Sequence, residues 1–172
     1  MSDEPLIAVF VDFENLALGV KDMKEDKFQI ELILKRLLEK GRLVFKRAYC
    51  DWSNYRPAIR EFHSHGIELI DIPQTRMSGK NSADIRMVVD ALDLCYAKDH
   101  IDIFALVSGD SDFSPLASKL KENNKRVVNK DVFCKKLHRL LPPLEDGEDR
   151  FVRRWDKAKN KQERIIQGVS YS

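Results

Sequence analysis

The run "LIAVFV", from Leu6 to Val11, places six apolar residues in succession. A strand with one solvated face alternates apolar and polar residues, whereas an unbroken apolar run is typical of a strand buried on both faces of a parallel sheet. Downstream, further segments of this kind alternate with segments of helical periodicity. This alternation predicts right-handed βαβ crossovers and a three-layer α/β/α Rossmann-like fold with a mainly parallel sheet.

The predicted elements follow from apolar spacing and from Pro and Gly positions. Strands are expected at residues 6–11, 42–52, 67–72 and 102–108, with a short fifth strand at 125–128. Helices are expected at 28–41, from Pro57 to Gly66, from Ser82 onward and from Pro115 onward. In the helix from Ser82, one apolar face is traced by Ile85, Val88, Val89, Leu92 and Cys95.

Composition excludes several classes of protein. With 43% hydrophobic residues in 172, the chain can bury a core and is not a disordered tail. No apolar run approaches the roughly 20 residues of a membrane span, and the acidic start lacks the basic region of a signal peptide. A cytoplasmic protein without membrane contact is expected. The three cysteines have no C-x-x-C spacing, which argues against a zinc cluster or disulfide framework and predicts buried thiols.

Charge is distributed unevenly along the chain. Residues 1–118 carry 15 Lys and Arg against 20 Asp and Glu, whereas residues 119–172 carry 15 against 8. An acidic body with a basic C-terminal third is compatible with a metal site and a nucleic-acid-binding arm. A solvated, charged terminal helix accounts for the same distribution.

Four aspartates stand where the predicted fold could bring them together. Asp12 follows the first strand, Asp110 and Asp112 follow the fourth, and Asp84 lies early in the preceding helix. Ligands of open parallel sheets bind outside the carboxyl ends of the strands. Because clustered carboxylates repel each other, a Mg²⁺ or Mn²⁺ ion is the expected neutralising partner.

Each aspartate also has a structural interpretation. Asp84 could form a capping box with Asn81, and Asp112 or Ser114 could cap the helix that Pro115 opens. At the two strand ends, Asp12 and Asp110 have no capping duty of comparable strength. Asn15 is interpreted either as a turn residue or as a polar residue supporting the metal site.

The segments "VFVDFENL", "AYCDW", "GKNSADIRMVVDALDL" and "LVSGDSDFSPLASKLKENNKRVV" resemble the successive motifs of the NYN domain, in the LabA-like branch of the PIN-like nuclease superfamily. The resemblance covers about residues 5–128. It implies a PIN-like fold and an acidic site that holds Mg²⁺ or Mn²⁺ for RNA cleavage. Carried over to this sequence, the family's site residues fall on Asp12, Asp84, Asp110 and Asp112, with the polar Asn15 and Ser108 alongside.

The chain departs from the family pattern after Val128. We therefore predict a NYN/PIN-like domain at 1–128, an atypical segment and linker at 129–149, and a basic C-terminal helix or tail at 150–172. The terminal segment could pack on the body, pack on a second copy in a homodimer, or contact RNA through Arg153 and Arg154.

The mechanism implied by the resemblance is metal-dependent hydrolysis of RNA phosphodiester bonds, with Asp12 and Asp110 as central ligands. Lys80 could contact a phosphate, although a solvated loop lysine is an equal interpretation. Trp52 could stack on unpaired bases of single-stranded RNA, whereas a core position is favoured for Tyr49.

Two other functions stay open. The first is a NYN-fold regulatory module that binds RNA or protein without cleavage. The second is an aspartyl-phosphate phosphohydrolase with Asp12 as nucleophile and Glu14 as the acid two residues later. The spacing of "SGDSDF" fits the NYN pattern and disfavours the phosphohydrolase.

Overall fold

The computed structural model describes residues 4–22, 30–75, 82–108, 113–130 and 170–171. Its strands are β1 (Leu6–Asp12), β2 (Arg42–Cys50), β3 (Glu68–Asp71), β4 (Ile103–Val107), β5 (Arg126–Lys130) and β6 (Ser170–Tyr171). Its helices are α1 (Phe13–Asp22), α2 (Ile30–Leu38), α3 (Arg56–Ser64), α4 (Ser82–Ala97) and α5 (Ser114–Glu122), with a 3-10 turn at Trp52–Asn54.

The strands form one sheet in the order β3-β2-β1-β4-β5-β6. The first five strands are parallel, and the two-residue β6 pairs antiparallel with β5 at the edge. This arrangement confirms the predicted three-layer fold with a mainly parallel sheet. Because the chain winds from β1 towards β3 and then returns to place β4 on the other side of β1, the β1–β4 boundary is a topological switch point.

β1 lies at the centre of the sheet, and its side chains divide between two cores. Ile7, Val9 and Val11 face the layer formed by α1, α2 and α3, whereas Ala8 and Phe10 face α4 and α5. All five residues are at most 1% exposed. Burial on both faces explains why this segment has no polar residue before Asp12.

α1 is an element that the sequence patterns did not predict. It begins at Phe13, directly after β1, so Asp12 is both the last strand residue and the residue preceding a helix. The apolar side chains of Phe13 and Leu16 are buried against the sheet, which stabilises the first turns through tertiary packing. The carboxylate of Asp12 is thereby placed at a helix N-terminus.

α4 packs on the sheet through a face that partly coincides with the predicted one. The predicted Val88 and Leu92 are half-buried against the core, whereas Ile85 and Val89 are 63% and 47% exposed. The remaining contacts come from Ala83, Met87 and Ala91, whose small alanines permit a close approach of helix and sheet. Cys95 is buried as predicted.

Of the predicted segments 129–149 and 150–172, the structure describes only residues 129–130 and 170–171. Ser170–Tyr171 forms β6, and the basic residues of the predicted tail, including Arg153 and Arg154, lie outside the described residues. Within the described parts of the chain, no helix is long and apolar enough to span a membrane.

Candidate functional site

The switch point joins two of the predicted site residues. Asp12 ends β1 and is 3% exposed, and Ser108 directly follows β4. The Ser108 hydroxyl donates a hydrogen bond of 3.0 Å to Asp12 Oδ2. In doubly wound sheets the ligand crevice opens where the strand order reverses, outside the carboxyl ends of the strands. Asp12 and Ser108 therefore lie at the position where doubly wound sheets bind ligands.

Asp12 also has a capping interaction, which corrects one expectation from the sequence. The backbone N–H of Asn15 donates to Asp12 Oδ1 at 3.4 Å, in the manner of an N-cap residue of α1. The capping duty was missed because α1 was not predicted to start at Phe13. At 3.4 Å this hydrogen bond is long, so capping alone is a weak reason for a buried carboxylate.

Glu14 is a second acidic residue at this end of the sheet. Its Oε1 accepts a hydrogen bond from Gln74 Nε2. Partial burial raises the pKa of the Glu14 carboxyl, and the negative charges of Asp51 and Asp84 raise it further. Asp84 lies in the first turn of α4, on the opposite layer of the fold from α1. The charges of both layers thus act on one carboxyl group.

Asp51, the residue after β2, is held by three hydrogen bonds. Its Oδ1 accepts from Ser53 Oγ at 2.5 Å and from Ser53 N at 3.2 Å, and its Oδ2 accepts from Gln74 N at 3.0 Å. These donors, with the Ser53 hydroxyl the strongest, hold the pKa of Asp51 below its ordinary value. The sequence signal for this arrangement is "DWS", in which an aspartate precedes a serine by two residues at a strand end.

The thiol of Cys50 lies among the same carboxylates. Burial raises its pKa, and the negative charges of Glu14, Asp12, Asp51 and Asp71 add to the effect. The side chain is fully buried, as predicted for a cysteine outside a metal or disulfide pattern. The four carboxylates that influence one thiol come from the ends of β1, β2 and β3, which makes this edge of the sheet electronegative.

The chemistry of these donors suits a hard divalent cation, because Mg²⁺ and Mn²⁺ prefer carboxylate and hydroxyl oxygen. In the described parts of the chain, however, no three His, Cys, Asp or Glu side chains are grouped closely enough to hold a metal ion. Asp110 and Asp112, the predicted partners of Asp12, lie outside the described residues, as does Lys80. Asp12 and Asp84 are the predicted ligands that the structure places.

The structure corrects the role predicted for Trp52. Its indole is 4% exposed, stacks on Phe13 with ring centroids 5.1 Å apart, and donates from Nε1 to the Ile70 carbonyl at 3.1 Å. A ring buried in this way cannot stack on RNA bases, so the aromatic residue is part of the core beneath α3. Tyr49 is also buried, as predicted, and its hydroxyl donates to Asp90 Oδ2 at 2.7 Å.

Comparison with known proteins agrees with this architecture. The chain is 30% identical over 125 residues to an uncharacterised protein of Methanocaldococcus jannaschii, covering 73% of this chain and 47% of that protein. The chain therefore spans about half the length of the curated relative that it matches. A crystal structure of a Vibrio parahaemolyticus protein of unknown function aligns with a TM-score of 0.62 and 26% identity, covering 75% of this chain and 82% of the other.

The family assignment rests on a match to a family model over most of the chain. Residues 6–131 match the NYN domain family, and this range includes every strand from β1 to β5 as well as Asp12, Asp84 and Ser108. The fold is also consistent with the wider PIN-like superfamily, as the sequence motifs predict. This protein belongs to the NYN domain family.

Proposed function

We propose that this protein is a metal-dependent ribonuclease that hydrolyses RNA phosphodiester bonds at the switch point of its sheet. The observation that carries the proposal is the buried carboxylate of Asp12, which accepts a hydrogen bond from Ser108 across the β1–β4 boundary. At the same edge, Asp51 and Asp84 act on the Glu14 carboxyl, and Asp12 and Glu14 both act on the Cys50 thiol. NYN domains have a PIN-like, nuclease-type fold, which agrees with this position.

Electrostatics supports a cation at this edge. The raised pKa of Glu14 reflects burial and neighbouring carboxylates that its hydrogen bond with Gln74 does not offset. A divalent cation would lower this repulsion by adding positive charge close to the carboxylates. We assign the ligand role to Asp12 and Asp84, with Ser108 and Asn15 orienting the Asp12 carboxylate through its two oxygens.

The ligand set is completed by residues that remain predictions from the sequence. Asp110 is two residues beyond Ser108, a span of at most about 7 Å of extended chain, and Asp112 is four residues beyond it. When bound, Mg²⁺ or Mn²⁺ supplies activation of water and stabilisation of the charge that develops during phosphodiester cleavage. Phosphate contacts by Lys80, Arg153 and Arg154 belong to the same proposal.

The test is an assay of labelled single-stranded RNA with Mn²⁺ or Mg²⁺, with and without EDTA. We expect cleavage by the unaltered protein, its loss in EDTA, and a fall by orders of magnitude in Asp12→Asn. Asp99→Asn is the matched control, because Asp99 is an exposed carboxylate between α4 and β4, at the opposite end of the sheet. EDTA-resistant cleavage, or equal losses in both variants, would contradict the metal site.

The alternative is a NYN-fold module that binds RNA and regulates without cleavage. RNA binding without any metal-dependent cleavage would establish this second function. A phospho-enzyme trapped by borohydride reduction would instead identify Asp12 as the nucleophile of a phosphohydrolase.

A further inference from the structure

A groove of about 650 Å³ opens beside the carboxylate edge. It lies between the 3-10 turn Trp52–Asn54, the outer side of α3 and the end of β3. The residues that give it chemical character are Ser53, Arg56, Arg60, His63 and Asp71. Four of these five side chains can donate hydrogen bonds, and all five residues are exposed.

The basic side chains of the groove form one stripe along α3. Arg56, Arg60 and His63 are related by i, i+4 and i+7 spacing and therefore share a helix face. The two arginines are one turn apart, about 6 Å along the helix axis. Each guanidinium has a planar fork of donors that matches the oxygens of a phosphate group.

Arg56 and Arg60 differ from Arg47 and Arg86 in forming no ion pair among the described residues. Arg47 forms ion pairs with Glu68 and Asp90, and Arg86 pairs with Asp90. Arg56 and Arg60, by contrast, form no ion pair with any residue in the described ranges of the chain. Their positive charge is therefore available to an anion from outside.

Hydrogen bonds connect the inner end of the groove to Asp51 and Trp52, directly after β2 at the carboxylate edge. Ser53 donates from its hydroxyl and its backbone N–H to Asp51, and Asp71 accepts from the backbone N–H of Trp52 at 3.2 Å. Asp51 and Asp71 both belong to the carboxylates around Cys50. A strand lying along α3 would thus reach the carboxylate edge directly.

We infer that the α3 groove binds the phosphate backbone of single-stranded RNA and guides it towards Asp12. This assignment rests on the proposed function and names the part of the protein that holds the substrate beyond the cleaved bond. The groove's aromatic residue, Trp52, is buried, so the lining contacts phosphates through Arg56 and Arg60 and leaves the bases unread. Binding should consequently depend on salt and only slightly on base sequence.

The test measures binding of a fluorescent, unstructured RNA in EDTA by anisotropy, over a series of salt concentrations. For Arg56→Gln/Arg60→Gln we expect at least about ten-fold weaker binding. The slope of log affinity against log salt should fall by about 1.4, because each lost phosphate contact on a single strand contributes about 0.7. Oligo-U and oligo-A of equal length should bind the unaltered protein with similar affinity.

The matched control is Arg42→Gln/Arg126→Gln. Both residues are exposed first residues of strands, at the opposite end of the sheet, and the double variant loses the same net charge. It should retain both affinity and slope. If the double variant does not fold, the single variant Arg60→Gln replaces it. Its salt slope should fall by about half as much as that of the double variant.

Three outcomes would overturn the groove assignment. They are an unchanged salt slope in Arg56→Gln/Arg60→Gln, an equal loss in the control pair, and tighter Arg56-dependent binding of an acidic peptide than of RNA. The groove assignment and the nuclease proposal can be contradicted separately, because RNA binding is measured without metal and cleavage is measured with it. If the protein cleaves RNA with metal but its RNA binding does not depend on Arg56 and Arg60, only the groove assignment is contradicted. If RNA binding depends on these arginines but no cleavage occurs, only the nuclease proposal is contradicted.

Discussion

The neighbouring ends of β1 and β2 carry carboxylates that the protein holds in opposite ways. Asp51, after β2, accepts three hydrogen bonds, and its pKa is lowered. Glu14, after β1, is partly buried near two other carboxylates, and its pKa is raised. The charge of Asp51 is stabilised by fixed donors, whereas burial and neighbouring carboxylates disfavour the charge of Glu14.

The substitution with the largest expected effect is at Asp12, and the quantity that it changes is the rate of RNA cleavage. Asp12→Asn should lower RNA cleavage by orders of magnitude, because it removes a charged ligand from the site. Asn caps helices as well as Asp does, so the metal-free melting temperature should not fall and could rise as repulsion is relieved. Activity assays and melting curves in EDTA, on the same preparation, measure both quantities.

Asp12→Ala is the companion variant. It removes both the charge and the N-cap of α1, so it should lose activity equally and also lose about 1 kcal/mol of unfolding free energy. If Asp12→Asn is fully active per folded molecule but clearly less stable, Asp12 is a structural residue and the distinction between the two strand ends disappears.

A smaller effect is expected at the end of β2. Asp51→Ala leaves the donors on Ser53 and Gln74 without their acceptor and should lower the free energy of unfolding by about 1–3 kcal/mol. Denaturant unfolding measures this loss, with Asp99→Ala as an exposed control. A cost no greater than that of the control would show that these hydrogen bonds contribute little.

The contribution of Asp51 to the free energy of unfolding should depend on pH in a defined direction. Its folded pKa lies below the ordinary value of 3.8, so ionised Asp51 stabilises the fold above that pH. The stabilisation is lost as pH falls through the lower, folded-state pKa. The stability difference between the unaltered protein and Asp51→Asn should therefore be constant near neutrality and shrink below about pH 3.8. A difference that persists in acid would mean that charge is not its source.

The smallest effect is expected for Glu14→Gln in metal-free protein. Because the folded pKa of Glu14 is raised, the protonated form favours folding, and this contribution is lost as pH rises from 4.5 through the folded value. Gln imitates the protonated form and keeps an acceptor for Gln74. The variant should match the unaltered protein at pH 4 and be slightly more stable at pH 7, by thermal unfolding in EDTA. Lower stability at pH 7 would contradict the assignment of the raised pKa to burial and to neighbouring carboxylates.

The features that could be read from the chain are those encoded in neighbouring residues. The apolar runs of β1 and β4 predict buried parallel strands whatever their neighbours in the sheet. Asp12 and Ser108 stand at the ends of these runs in the sequence, so their positions at the strand ends follow directly. The order of the strands, and hence the switch point, was not predicted, because right-handed βαβ crossovers are compatible with several strand orders. Local information was sufficient for the fold class and for placing Asp12 at the end of a buried strand, but not for α1 or the strand order.

Other features depend on distances between segments far apart in the chain. The core position of Trp52 depends on its stacking with Phe13, and the electrostatic environment of Glu14 arises from residues 51 and 84. On α4, contact with the sheet includes Ala83 and Ala91 and leaves the predicted Ile85 and Val89 exposed, although helical periodicity suits both pairs. Periodicity and residue type report what a segment can bury, whereas the pKa and exposure of a side chain depend on which distant groups the folded chain brings beside it.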